Sequence, residues 1–212
     1  SHGDTRIIRM AYYEHPDYVP LLKQAHRLWD QLEELRGEKL RYETGLLQAG
    51  PAAGFIVEGV LRSARKHMLK VEELGAAEAA ERFNGFSLDD SMAAVYEKEA
   101  GYLLVENCVR AHTGEALRQG AQLETGVNIL GWREQGDGGT GETDRGSFQA
   151  ASLVIPPGAW APSLLQTLGV PLEVRRKHLY WFRCPGEQYR DSSGCPAFVF
   201  ETPAGFFYGF PS

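Results

Sequence analysis

The chain changes its apolar rhythm once, near residue 120, and that change excludes most folds. Before it, apolar residues recur at helical spacing: Val19, Leu22, Ala25, Leu28, Trp29, Leu32 and Leu35 fall three and four apart over residues 18–36, one face of an amphipathic helix. Gly37 follows, and glycine accepts the left-handed backbone that ends a helix. Residues 55–68, 75–83 and 105–119 read as further helices, the last stopped by Gly120, with short strands at 40–48, 93–97 and 101–104. After the change helices have little room. Residues 122–125, 127–134 and 148–155 read as strands, 163–168 as a short helix, and 174–183, 197–201 and 206–210 as strands of an antiparallel sheet. The stretch 136–146 holds five glycines and reads as a flexible hairpin loop; it lacks the Lys-Ser/Thr pair and following helix of a phosphate cradle. All-α and all-β folds are thereby excluded. The expectation is a mixed α/β (α+β) fold, its largely antiparallel sheet covered on one face by the helices at 18–36 and 55–68.

At 212 residues the chain is long enough to bury a core without metals or disulfides. With 22 Lys and Arg against 28 Asp and Glu the formal net charge is -6, which argues against a nucleic-acid partner or an anionic membrane surface. No apolar run reaches the roughly 18 residues of a membrane span. Cys108, Cys184 and Cys195 show no metal-finger spacing and read as reduced structural thiols, so no metal site is expected. The expected setting is a soluble compartment, cytoplasmic or organelle-lumenal. The first residue is not Met, and the chain stops just after the aromatic run Phe206-Phe207-Tyr208-Gly209-Phe210, so an excerpt of a longer protein is expected.

The opening run Ser1-His2-Gly3-Asp4-Thr5-Arg6-Ile7-Ile8-Arg9 carries the densest chemistry. Asp4 can cap a helix whose first turns hold Arg6 and Arg9 on one face. That pattern fits two solvated arginines at a helix start, or an anion or carboxylate site with His2 beside it. Tyr180 and Trp181, with Phe206, Phe207 and Tyr208, form two late aromatic runs, about half of which alternation sends to one face.

The runs "SHGDTRIIR", "AYYE", "YETGLL", "GYLLVENCVRA", "PPGAWAPSLL" and "FYGFPS" resemble, in order, the flavoprotein family of monomeric sarcosine oxidase, N-methyltryptophan oxidase and peroxisomal sarcosine/pipecolate oxidase. The resemblance implies an FAD-dependent enzyme that oxidises secondary amines, typically N-methyl amino acids, with oxygen taking the electrons to give hydrogen peroxide. It implies FAD in the intact protein and none held firmly by this stretch alone, because no GxGxxG run is present and no cysteine matches the flavin-linking position. By position, Arg9 matches the arginine that binds the substrate carboxylate. Arg6 and His2 match catalytic positions beside the flavin ring, and Tyr12 and Glu14 line the same cavity. Gly158, Ala159 and Trp160 match a turn near the cofactor, with Val127 also assigned to cofactor binding. Pro156-Pro157 departs from the family pattern and removes N–H donors there.

The resemblance further implies a flavin- and substrate-facing segment at 1–15, a substrate-binding domain at 16–104 and 172–212, and part of an FAD-binding dinucleotide fold at 105–171. A small amino acid substrate and oxygen are the expected partners, and the compartment becomes the cytoplasm, or the peroxisome in a eukaryote. Two other readings stay open. One is a non-catalytic ligand-binding or assembly domain of the same fold; the other is a D-amino-acid or glycine oxidase, or a dehydrogenase relative.

Overall fold

A computed structural model describes residues 3–212. The chain forms two compact units, residues 1–119 together with Trp181–Ser212, and Gly120–Tyr180 between them. The first unit runs through β1 (Thr5–Ile8), α1 (Val19–Arg36), β2 (Arg41–Tyr42), β3 (Leu46–Pro51), α2 (Phe55–His67), β4 (Glu72–Gly75), α3 (Ala76–Arg82), β5 (Met92–Glu97), β6 (Gly101–Leu104) and α4 (Val105–Arg118). The second holds β7 (Ile129–Gln135), β8 (Gly138–Thr143), β9 (Gly146–Ala150) and α5 (Ala161–Leu164). The chain then returns to the first unit with β10 (Ala197–Thr202) and β11 (Gly205–Gly209).

Helix ends follow local chemistry. Gly37 takes φ 60° and donates its N–H to the carbonyls of Glu33 and Glu34, closing α1 where the apolar stripe stops. The five-stranded sheet of the first unit has the order β11-β10-β3-β5-β4. Its middle strand β3 is buried from Leu46 through Gly50, because both faces are covered. Leu46, Val95, Ala197 and Val199 pack with Ile56, Val57 and Val60 of α2. Leu47, Ala49, Ala94 and Tyr96 meet Leu74, Ala79 of α3 and Phe83 on the other side. Each Leu, Ile or Val among them contributes about 1.5–3 kcal/mol when fully buried.

The mixed α/β class holds, while several details differ from the sequence expectation. β10 runs antiparallel to β11 but parallel to β3. Only α2 of the two expected helices lies on that sheet; α1 packs through Leu32 and Trp29 against Cys108 and Ala111 of α4. β1, β6 and β2 form a separate antiparallel sheet.

In the second unit the presumed loop 136–146 contains β8, the central strand of the β7-β8-β9 meander. Its glycines serve close packing: a Cβ at Gly138 would lie 2.4 Å from the Ala150 carbonyl oxygen, and one at Gly139 2.5 Å from Leu153 Cδ1. Buried Thr140 donates to Gln135 Oε1 at 2.8 Å within the same meander. Residues 122–125 and 174–183 are not strands, and β9 ends at Ala150 rather than near 155. No described strand lies alongside 122–125 or 174–183 to take their backbone hydrogen bonds. Among the described residues no helix is long and apolar enough to cross a membrane.

Candidate active site

Arg6 rides on a strand and Arg9 directly follows it, in place of the helix start expected for residues 4–9. β-branched Ile7 and Ile8 favour extended backbone and pair with Tyr102 and Gly101 of β6. The Asp4 carbonyl accepts from the Val105 N–H at 2.9 Å, at the beginning of α4. Arg6 is exposed and donates Nη1 to the Thr5 carbonyl at 2.8 Å, whereas Arg9, just past the strand, is buried. The two guanidinium groups therefore share no helix face.

Residues 9–14 curl into a cage around Arg9. Its Nη2 donates to both carboxylate oxygens of Glu14, at 3.1 and 3.0 Å. Its guanidinium carbon lies 4.1 Å from the Tyr12 ring centroid and 4.7 Å from that of Tyr13. Arg9 Nε is buried and has no hydrogen-bond partner among the described residues. A buried N–H without an acceptor costs about 1–3 kcal/mol. Burial pushes the Tyr13 hydroxyl pKa up, with the Arg9 charge pulling the other way.

The backbone of this loop is held from outside. Glu97, at the end of β5 and 4% exposed, accepts from the Met10 N–H at 2.7 Å and from the Ala11 N–H at 3.0 Å. Ser63 of α2 donates its hydroxyl to the Tyr12 carbonyl. Gly59 of α2 abuts Tyr13 so closely that an added Cβ would lie 2.2 Å from the Tyr13 carbonyl oxygen.

The structure thus brings Arg9, Tyr12 and Glu14 together and leaves Arg6 outside the cage; His2 lies outside the described residues. Tyr13, Glu97, Ser63 and Gly59 were missed. Two of them carried a signal. Ala93, Val95 and Glu97 alternate on one side of β5, which puts a carboxylate at an inward position. A glycine in the middle of α2 costs helix stability and marks a close approach.

Gly158, Ala159 and Trp160 form a 3-10 turn in the second unit, with Gly158 at φ 58° and Trp160 exposed. The Trp160 N–H returns to the Pro157 carbonyl at 3.2 Å. Val127, half-buried, belongs to the same unit.

The family model for FAD dependent oxidoreductases matches residues 1–212. The chain belongs to the FAD-dependent oxidoreductase family. It is 38% identical over 215 aligned positions to a monomeric sarcosine oxidase of Arthrobacter sp. (strain TE1826), covering 100% of this chain and 55% of that protein. It is 34% identical to an N-methyl-L-tryptophan oxidase of Yersinia pestis (strain Pestoides F), covering 100% of this chain and 56% of that one. Among solved structures the fold matches the open form of NikD, an amino acid oxidase of nikkomycin biosynthesis, at a TM-score of 0.76 and 22% identity, over 100% of this chain and 55% of NikD. The chain spans about half the length of the curated relatives it matches.

The family is defined by FAD, and the turn at Gly158 is the part of the second unit that the sequence assigned to it. At Gly158 a Cβ would meet nothing within 4 Å, so the turn opens onto free space, and the exposed Trp160 ring offers an apolar plane beside it. The preceding Pro156 and Pro157 offer no backbone N–H to any ligand.

Proposed function

We propose that this chain is the carboxylate-recognising part of an FAD-dependent oxidase that acts on secondary amines such as sarcosine and other N-methyl amino acids. The observation that carries this reading is the Arg9 cage: a buried guanidinium whose Nε has no partner among the described residues, flanked by two aromatic faces. A substrate carboxylate supplies the missing acceptor. Charge-assisted hydrogen bonds of this kind are worth about 1.5–3 kcal/mol, and a planar fork fits a carboxylate where an ammonium does not. Glu14 keeps Arg9 in place before substrate arrives, and Tyr12 and Tyr13 fix the plane of the fork. The relatives named above as sarcosine and N-methyl-L-tryptophan oxidases support this substrate class.

FAD, when bound, supplies acceptance of the electron pair from the amine, which oxygen then takes to form hydrogen peroxide. In this reading Gly158, Ala159, Trp160 and Val127 would hold the cofactor. Arg6 and His2 are the residues this reading assigns to the redox step, where positive charge would favour the reduced anionic flavin. Residues 1–15 face substrate and flavin, 16–104 and 172–212 bind substrate, and 105–171 contribute to the FAD domain.

The test is oxygen consumption by the full-length protein with an N-methyl amino acid and with the matching N-methylamine lacking a carboxylate. The carboxylate-bearing amine is the expected substrate, and Arg9→Ala is expected to penalise it alone. Equal penalties for both amines would make Arg9 structural and put the carboxylate site elsewhere.

A further inference from the structure

We infer that Glu97 is a positioning residue for carboxylate recognition: its side chain fastens the main chain immediately after Arg9 to a different sheet and so sets where the Arg9 fork stands. This rests on the proposed role of Arg9. β1 belongs to the three-stranded sheet, while β5 lies in the five-stranded one. The Glu97 carboxylate spans the gap, one oxygen on the Met10 N–H and the other on the Ala11 N–H. The Met10 carbonyl in turn accepts from the Tyr12 N–H at 2.8 Å, so the same clamp sets the aromatic face under the guanidinium.

A carboxylate is the side chain that suits this place. Two convergent N–H donors need an acceptor on each oxygen, and only an acceptor-only group offers both without presenting a donor. A glutamine of the same shape must turn an NH₂ toward one of the two N–H groups. Burial of Glu97 raises its pKa, while the two amide bonds and the Arg9 charge oppose that rise. The contacts that fix the loop thus offset part of the cost of burying the charge. Glu97 touches no substrate atom in this account; it acts through Arg9 and Tyr12.

The experiment uses the full-length, cofactor-loaded protein and two readouts, calorimetric binding of acetate and steady-state kinetics with an N-methyl amino acid. Arg9→Ala identifies the acetate that binds at Arg9. Glu97→Gln is expected to weaken that binding at least tenfold and to raise KM by a similar factor with kcat within twofold. KM for the carboxylate-free N-methylamine should stay unchanged. Glu97→Asp, which keeps both acceptors on a shorter stem, should recover part of the loss. In the Arg9→Ala background, Glu97→Gln should add no further loss of acetate affinity. The inference is overturned if Glu97→Gln leaves acetate affinity and KM within twofold of wild type, or if it penalises both amines equally. An additive loss in the Arg9→Ala background would also overturn it. Should Glu97→Gln fail to fold, Glu97→Asp carries the same readouts, and its wild-type behaviour in both would sink the idea. A wild-type protein that oxidises neither amine but binds acetate at Arg9 would refute the proposed function while leaving the Glu97 comparison intact. One that binds no acetate at Arg9 would refute both.

Discussion

Glu201, on β10, accepts a hydrogen bond at 2.8 Å from the main-chain N–H of Ile56, in the first turn of α2 and 145 residues earlier in the chain. It takes the Phe55 N–H as well, at 3.2 Å. The N-cap of α2 is Gly54, which has no side chain to do this, so a strand of the adjoining sheet supplies the capping carboxylate. Glu201→Ala should therefore cost about 1–2 kcal/mol, as lost helix caps do. Glu201→Gln should cost less, because one acceptor oxygen remains. Urea unfolding of the two variants checks both, and equal stability of wild type and alanine variant would show that the cap contributes nothing.

Arg9→Lys offers a sharper test of the fork than deletion. An ammonium keeps the charge but cannot present two parallel donors, so carboxylate binding should fall between wild type and Arg9→Ala, which should lose about 1.5–3 kcal/mol. Full recovery by lysine, read as KM and acetate affinity, would mean that charge alone suffices.

Gly59→Ala should reverse its usual sign. In an exposed helix interior the change stabilises by about 0.5–1 kcal/mol. Here the new Cβ would run into the Tyr13 carbonyl oxygen, so the variant should instead lose about 1–3 kcal/mol and bind carboxylates more weakly. Thermal unfolding decides it, since a rise in Tm would show that the helix can move away.

Acid stability should depend on Glu115. Hydrogen bonds from Arg118 and Gln119 hold its carboxyl at about 2 against an ordinary 4.5. The folded value is depressed, so this contribution is present above pH 4.5 and disappears as pH falls through about 2. Glu115→Gln should thus be less stable than wild type near neutrality, with the gap closing toward pH 2. A gap independent of pH would assign the effect to packing.

What could be read from sequence followed the strength of the local signal. α1 was legible because its apolar stripe is long and its stop, Gly37, is a residue with one good reason to be there. β8 was hidden because its glycines, chosen for space beside Ala150 and Leu153, carry the same mark as a loop. β1 was misread because Arg6 and Arg9 fit a helical repeat that Ile7 and Ile8 do not support once β6 is alongside. Arg9, Tyr12 and Glu14 lie within six residues of one another, so the sequence already held most of the cage. Its fastenings did not show, because Ser63 and Glu97 act across 51 and 86 or more residues and meet the loop only after folding.

The parallel pairing of β3 with β10 also sets a clock for the growing chain. Leu46 waits for Ala197, 151 residues later, before that side of the strand finds its partner. At about 5–20 residues per second, the ribosome needs roughly 8–30 s to deliver it. Once β5 has followed, the run Leu46-Leu47-Gln48-Ala49 has that strand on one edge and bare main-chain donors and acceptors on the other until β10 arrives. Slower synthesis over residues 100–197 should lengthen the time for which that edge is open to wrong pairing.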